Sequence, residues 1–123
     1  MLEAYSTDLN VTANSFIPFN NVTVEKGCTA VLTSPATVSL NKCGVYMVNV
    51  GVSAAAAETI QLYKDGVAIP GATSTGTSPF FSKLVQVDRN NGPCACQSPT
   101  NIQVMAENAT TLTDARITVT KVC

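Results

Sequence analysis

The 123 residues specify an all-β protein: a single-domain β-sandwich of about 8–10 antiparallel strands, arranged as a jelly roll. Three observations lead there. Residues 43–54 read Cys-Gly-Val-Tyr-Met-Val-Asn-Val-Gly-Val-Ser-Ala, one long strand that places Tyr46, Val48, Val50, Val52 and Ala54 on a single face. Residues 60–71 hold a strand that turns back at Asp65-Gly66, a dipeptide suited to the left-handed conformations of a two-residue hairpin. Strand-like segments recur about every 8–15 positions with turn chemistry between them, which leaves no room for helices.

Residues 1–14 are polar and show no period-two alternation, so they read as an irregular N-terminal arm, with the sandwich occupying 15–123. Strands are expected at Ser15–Asn20, Ala30–Thr33, Thr37–Leu40, Val45–Ala55, Thr59–Lys64, Val67–Ala72, Phe80–Asp88, Thr100–Glu107 and Ala115–Val122. Glycine, proline and asparagine separate them, at Lys26-Gly27, Ser34-Pro35, Pro70-Gly71, Gly76–Pro79 and Asn90–Pro93. The one helical candidate, Ser53–Glu58, is too short to stand alone and reads as a strand end.

Charged residues make up 12% of the chain, about half the usual share, while hydrophobic residues reach 46%. A small chain this poor in charge is expected to hide part of its surface against copies of itself or a partner. The second face of the long strand agrees: Val45, Met47, Asn49, Gly51 and Ser53 are small and only half polar. Tyr63 and Gln61, and later Gln103 and Met105, share that character. Either a loop or the arm covers this face, or it meets neighbouring subunits about a symmetry axis. The second case makes Val45, Met47, Asn49, Tyr63 and Met105 the candidate interface.

Net charge is −1 and the seven basic residues are scattered, so no electrostatic footprint for nucleic acid or anionic lipid exists. No apolar run is long enough to span a bilayer, and the opening residues do not resemble a secretory signal, which suggests manufacture in a cytoplasm. Histidine is absent, which removes the commonest general base. The carboxylates sit mainly at turns and strand ends, and no phosphate-binding loop occurs. The expectation is therefore no enzyme, with no catalytic residue, no cofactor and no metal.

Five cysteines are present: Cys28, Cys43, Cys94, Cys96 and Cys123. Their spacing does not suit a zinc knuckle. A hairpin centred on Pro35-Ala36 sets Thr33 opposite Val38 and Val31 opposite Leu40, and continuing that register sets Cys28 opposite Cys43. Two states fit: a Cys28–Cys43 bridge closing the hairpin, or two buried thiols, as a cytoplasmic origin would favour.

Three segments carry a family likeness: Phe16–Phe19, Gly44–Val48, and Leu62-Tyr63-Lys64-Asp65-Gly66-Val67-Ala68-Ile69-Pro70-Gly71-Ala72. Together they resemble the compact jelly-roll heads of phage head fibres and bacterial collagen-like surface proteins, which in turn are similar to tumour necrosis factor and complement globular heads. The resemblance implies a homotrimer packed through its inner sheet, with a structural or adhesive role and no cofactor. No Gly-X-Y stalk is present, so a virion component suits the chain best: a capsid decoration or head-fibre protein, assembled in the host cytoplasm. Its expected partner is a major capsid or fibre protein, engaged through the arm at 1–14. The alternative is an adhesion head on a bacterial cell or spore surface that binds a ligand such as a host-surface glycan.

Overall fold

The computed structural model describes residues 1–27, 29–87 and 100–122. Eleven strands and no helix are found among them: β1 (Leu2–Val11), β2 (Ser15–Phe16), β3 (Asn21–Glu25), β4 (Ala30–Ser34), β5 (Thr37–Leu40), β6 (Gly44–Ala54), β7 (Glu58–Lys64), β8 (Val67–Gly76), β9 (Phe80–Val87), β10 (Thr100–Ala106) and β11 (Thr110–Lys121). They form two antiparallel sheets. One has five strands in the order β3-β1-β11-β6-β9. The other runs β4-β5-β10-β7-β8, with β2 paired to β10.

The long strand behaves as its alternation requires. Tyr46, Val48, Val50 and Val52 of β6 are buried between the sheets. They meet Ile60 and Leu62 of β7, Ile102 and Val104 of β10, and Ile117 and Val119 of β11 in one apolar cluster. The hairpin turns where expected. Asp65 and Gly66 take φ of 50° and 83°, and Lys64 pairs with Val67 across the turn. Asp65 also holds Asn101: its amide donates to the Asn101 carbonyl, and its carboxylate accepts from the Asn101 amide at 2.9 Å.

Residues 1–14 are not an arm, and this corrects the sequence reading. Strand β1 lies inside the five-stranded sheet, paired to β11 on one side and β3 on the other. Leu2, Ala4 and Ser6 point into the core, and then Val11 does. The inward set changes from even to odd positions at Asp8, whose φ of 51° marks a bulge. The facing strand changes phase at the same level, from Leu112 to Ala115, Ile117 and Val119. Small inward residues and a phase slip together remove the alternation by which a strand is recognised.

The β4–β5 register differs from expectation by one residue. Ala30 pairs with Leu40, Val31 with Ser39 and Leu32 with Val38, because the ladder shifts between Leu32 and Ser34 and leaves Thr33 as an extra residue. Cys43 is buried and disulfide-bonded. Cys28, with which the hairpin reading pairs it, lies outside the described residues, as do Cys94, Cys96 and Cys123.

Three buried polar side chains tie connections to the sheets. The Ser6 hydroxyl donates to the Pro18 carbonyl at 2.7 Å and accepts from the Asn20 amide at 2.8 Å, seating Ile17 and Phe19 over one end of the core. Tyr46 donates its hydroxyl to the Lys42 carbonyl at 2.6 Å, fixing the crossing between β5 and β6. Glu58, fully buried, accepts through Oε1 from the Thr59 and Asn108 amides at 2.9 and 2.8 Å. It thereby joins the β6–β7 turn to the β10–β11 turn. Replacing Glu58 with alanine strands both amides, and the expected loss is about 2–4 kcal/mol. Glu58→Gln, which keeps the acceptor, should lose less than half of that in a urea titration; equal losses would show that the carbonyl oxygen is not what holds the turns.

Candidate subunit interface

The outward face of the five-stranded sheet is built in rows. Strand β11 contributes Arg116, Thr118 and Thr120; β6 contributes Gly51, Asn49, Met47 and Val45; β9 contributes Phe80, Ser82, Leu84 and Gln86. Thr120, Met47 and Leu84 therefore stand side by side, with Thr118, Asn49 and Ser82 in the next row and Arg116, Gly51 and Phe80 beyond. Ser82 donates its hydroxyl to the Asn49 side-chain oxygen and lies 3.7 Å from the Met47 sulfur. Val122 reaches the end of this face through its amide, which donates to the Val45 carbonyl.

Apolar exposure concentrates here. Six large hydrophobic residues are markedly exposed in the described chain, and Phe80 (55%), Leu84 (54%) and Val122 (50%) belong to this face. Val45 and Met47 lie between them, half-buried. No charged residue occupies an outward position on β6 or β9 over these rows. The charges gather on the other half of the sheet, at Glu3 and at the Arg116–Asp114 ion pair of 2.6 Å. Gly51 lies directly beneath the Arg116 guanidinium, and a Cβ at that position would stand 2.9 Å from Arg116 Nη2. Strand β9 ends the sheet, and no strand pairs with its far edge among the described residues.

The five candidate residues do not form one patch. Val45, Met47 and Asn49 share the face just described. Tyr63 on β7 and Met105 on β10 point outward from the six-stranded sheet, on the opposite side of the sandwich. Alternation along a strand identifies its outward side but not the sheet to which it belongs. Phe80, Leu84 and Val122 were missed for a related reason. Each reads as an ordinary strand apolar until the register turns it away from the core.

Among solved structures, PRD1 vertex protein P5 superposes with a TM-score of 0.68 at 13% sequence identity, covering 99% of this chain and 96% of that one. Rabbit GITRL gives a TM-score of 0.61 at 13% identity, over 100% and 95% of the two chains. Murine APRIL gives 0.64 at 12% identity, over 98% of each. The fold is the tumour necrosis factor-type jelly roll. No family model matches the sequence, and no curated protein matches it either. Identity this low establishes the jelly roll alone. The 77–79 connection is held to β6 by the Val52 and Ala54 amides, which donate to the Pro79 and Thr77 carbonyls.

Proposed function

We propose that this chain is a structural protein of a phage particle: a homotrimer serving as capsid decoration or head-fibre head. The observation that carries the reading is the apolar strip of Met47, Leu84, Phe80 and Val122 on a jelly roll whose form is shared, end to end, with a phage vertex protein. Packing that strip against its symmetry mates removes from water three of the six markedly exposed large hydrophobic residues of the described chain. It also covers the open edge of β9. The charged half of the sheet then lies toward the rim, where solvent reaches Arg116 and Asp114. Val45, Met47 and Asn49 belong to the interface; Tyr63 and Met105 do not. Residues 2–11, being a sheet strand, are not the tether to the shell, so docking falls to other surfaces of the assembled trimer.

Light scattering on a sizing column tests the assembly. The expected mass is three times 12.8 kDa. Leu84→Asp places a charge at the centre of the strip and should return the particle to 12.8 kDa, while Val67→Asp, at a site 68% exposed on the other sheet, leaves the mass unchanged. A wild-type monomer would remove the homotrimer. Particle association is read separately, by whether tagged chain co-purifies with virions through a density gradient; free chain alone contradicts the virion role.

A further inference from the structure

The outward face of the six-stranded sheet differs in kind from the strip on the other side. Gln103 stands beside Tyr63, and Met105 stands between Phe16 and Gln61, which in turn neighbours Thr73. Phe16 and Tyr63 meet edge to face, with centroids 5.6 Å apart and planes at 82°. All three apolar members are half-buried, so none is an exposed anchor of the sort a protein partner requires. The remaining outward positions in these rows are threonine, serine, asparagine, alanine and valine. In the two rows through Gln103–Tyr63 and Met105–Gln61 none carries an ionised group; one row beyond at each end a carboxylate residue stands, Asp65 beside Asn101 and Glu107 beside Thr59.

The amides are already held. Gln61 donates from Nε2 to the Leu62 carbonyl at 2.9 Å and to the Ile69 carbonyl at 2.8 Å, which fixes the side chain and leaves Oε1 as its acceptor. Gln103 donates from Nε2 to the Thr37 hydroxyl at 3.1 Å. Polar groups fixed beforehand lose little conformational entropy when a ligand arrives. The spacing is small: neighbouring strands lie about 5 Å apart and successive outward rows about 7 Å apart. An aromatic pair flanked by fixed amides and hydroxyls on that scale matches a sugar ring, which offers an apolar C–H face and a rim of hydroxyls. With no ionised group in the central rows and carboxylates as the flanking charges, a neutral sugar is favoured over an anionic one.

We infer that this face, centred on Tyr63, Phe16, Gln61 and Gln103, is a binding site for a neutral saccharide. The inference rests on the proposed assembly, which turns the five-stranded face inward and this face outward. A flat site of this kind binds weakly on its own. Three copies on one trimer raise the avidity for a polysaccharide surface by about 10²–10⁴.

The test is a proton NMR titration of the full chain with maltohexaose, cellohexaose and N-acetylglucosamine tetramer, with sialyllactose as the anionic comparison. Light scattering is run on the same samples. At least one neutral oligosaccharide should shift the Tyr63 and Phe16 ring resonances. Affinity should fall about tenfold in Tyr63→Ala and stay near wild type in Tyr63→Phe, which retains the ring. Dispersed amide spectra establish that both variants fold, and Gln103→Ala supplies a second loss variant. The inference is overturned if no neutral sugar shifts the rings at about 10 mM. It is also overturned if Tyr63→Ala binds as well as wild type, or if sialyllactose is preferred. A trimer without sugar binding refutes this site alone; a monomer with Tyr63-dependent shifts refutes the subunit interface and upholds the site.

Discussion

A chain lacking residues 1–11 will not fold. Those residues fill the place between β11 and β3, pairing with β11 from Leu2↔Val119 to Val11↔Thr110. Their removal opens a gap inside the sheet and exposes the core faces of Ile117 and Leu112, each buried to within 1%. Burying two or three large apolar side chains contributes about 1.5–3 kcal/mol each, and a domain's whole stability is about 5–15 kcal/mol. The loss therefore consumes most or all of the margin. Circular dichroism through a urea gradient should show no cooperative transition. A truncated chain that unfolds cooperatively near the wild-type midpoint would restore residues 1–11 to the role of a dispensable arm.

The second large effect is at Tyr46. The ring is completely buried on β6, and its hydroxyl bonds both the amide and the carbonyl of Lys42 in the β5–β6 crossing. It also reaches the Thr29 carbonyl beside β4 at 3.4 Å, so one side chain spans from one sheet to the other. Tyr46→Ala combines a cavity with stranded backbone groups, and the expected cost is about 3–5 kcal/mol. Tyr46→Phe keeps the ring and loses only the hydrogen bonds, at about 1–2 kcal/mol. Guanidinium titrations of both variants separate the two contributions. If Tyr46→Phe were as damaging as Tyr46→Ala, the crossing and not the core would be what the residue maintains.

Legibility varied with how local the information was. Strands β6 and β7 and the turn into β8 could be read because unbroken alternation and Asp65-Gly66 are properties of neighbouring residues. Strand β8 was read only to Ala72, because its ladder with β7 slips between Gln61 and Tyr63. Strand β1 could not, because alanine and serine occupy its inward positions and the phase slips at Asp8. Strand β3 was equally hidden, as an edge strand whose side chains are nearly all exposed. The β4–β5 register failed at a single extra residue, Thr33, which no local signal announces. Among the candidate interface residues, the outward side of each strand was legible and the sheet assignment was not. That assignment depends on pairings such as Val119↔Val48 and Val104↔Leu62, each joining positions tens of residues apart. The disulfide candidate lay at the limit of such inference: the reading set Cys28 opposite Cys43 from register, that register moved by one, and Cys28 lies outside the described residues.

The pairing of β1 with β11 sets a clock on biosynthesis. Leu2 leaves a ribosome long before its partner Val119, yet they end side by side. At about 5–20 residues per second, the first strand waits roughly 6–25 s for its neighbour to exist. The six-stranded sheet can begin to assemble earlier, since its β7–β8 hairpin is local. Closure of the five-stranded sheet, and with it the surface that would recognise other copies, waits until β11 has been made. Molecules made only as far as β10 thus lack the face by which they could join one another, and assembly is deferred until β11 follows.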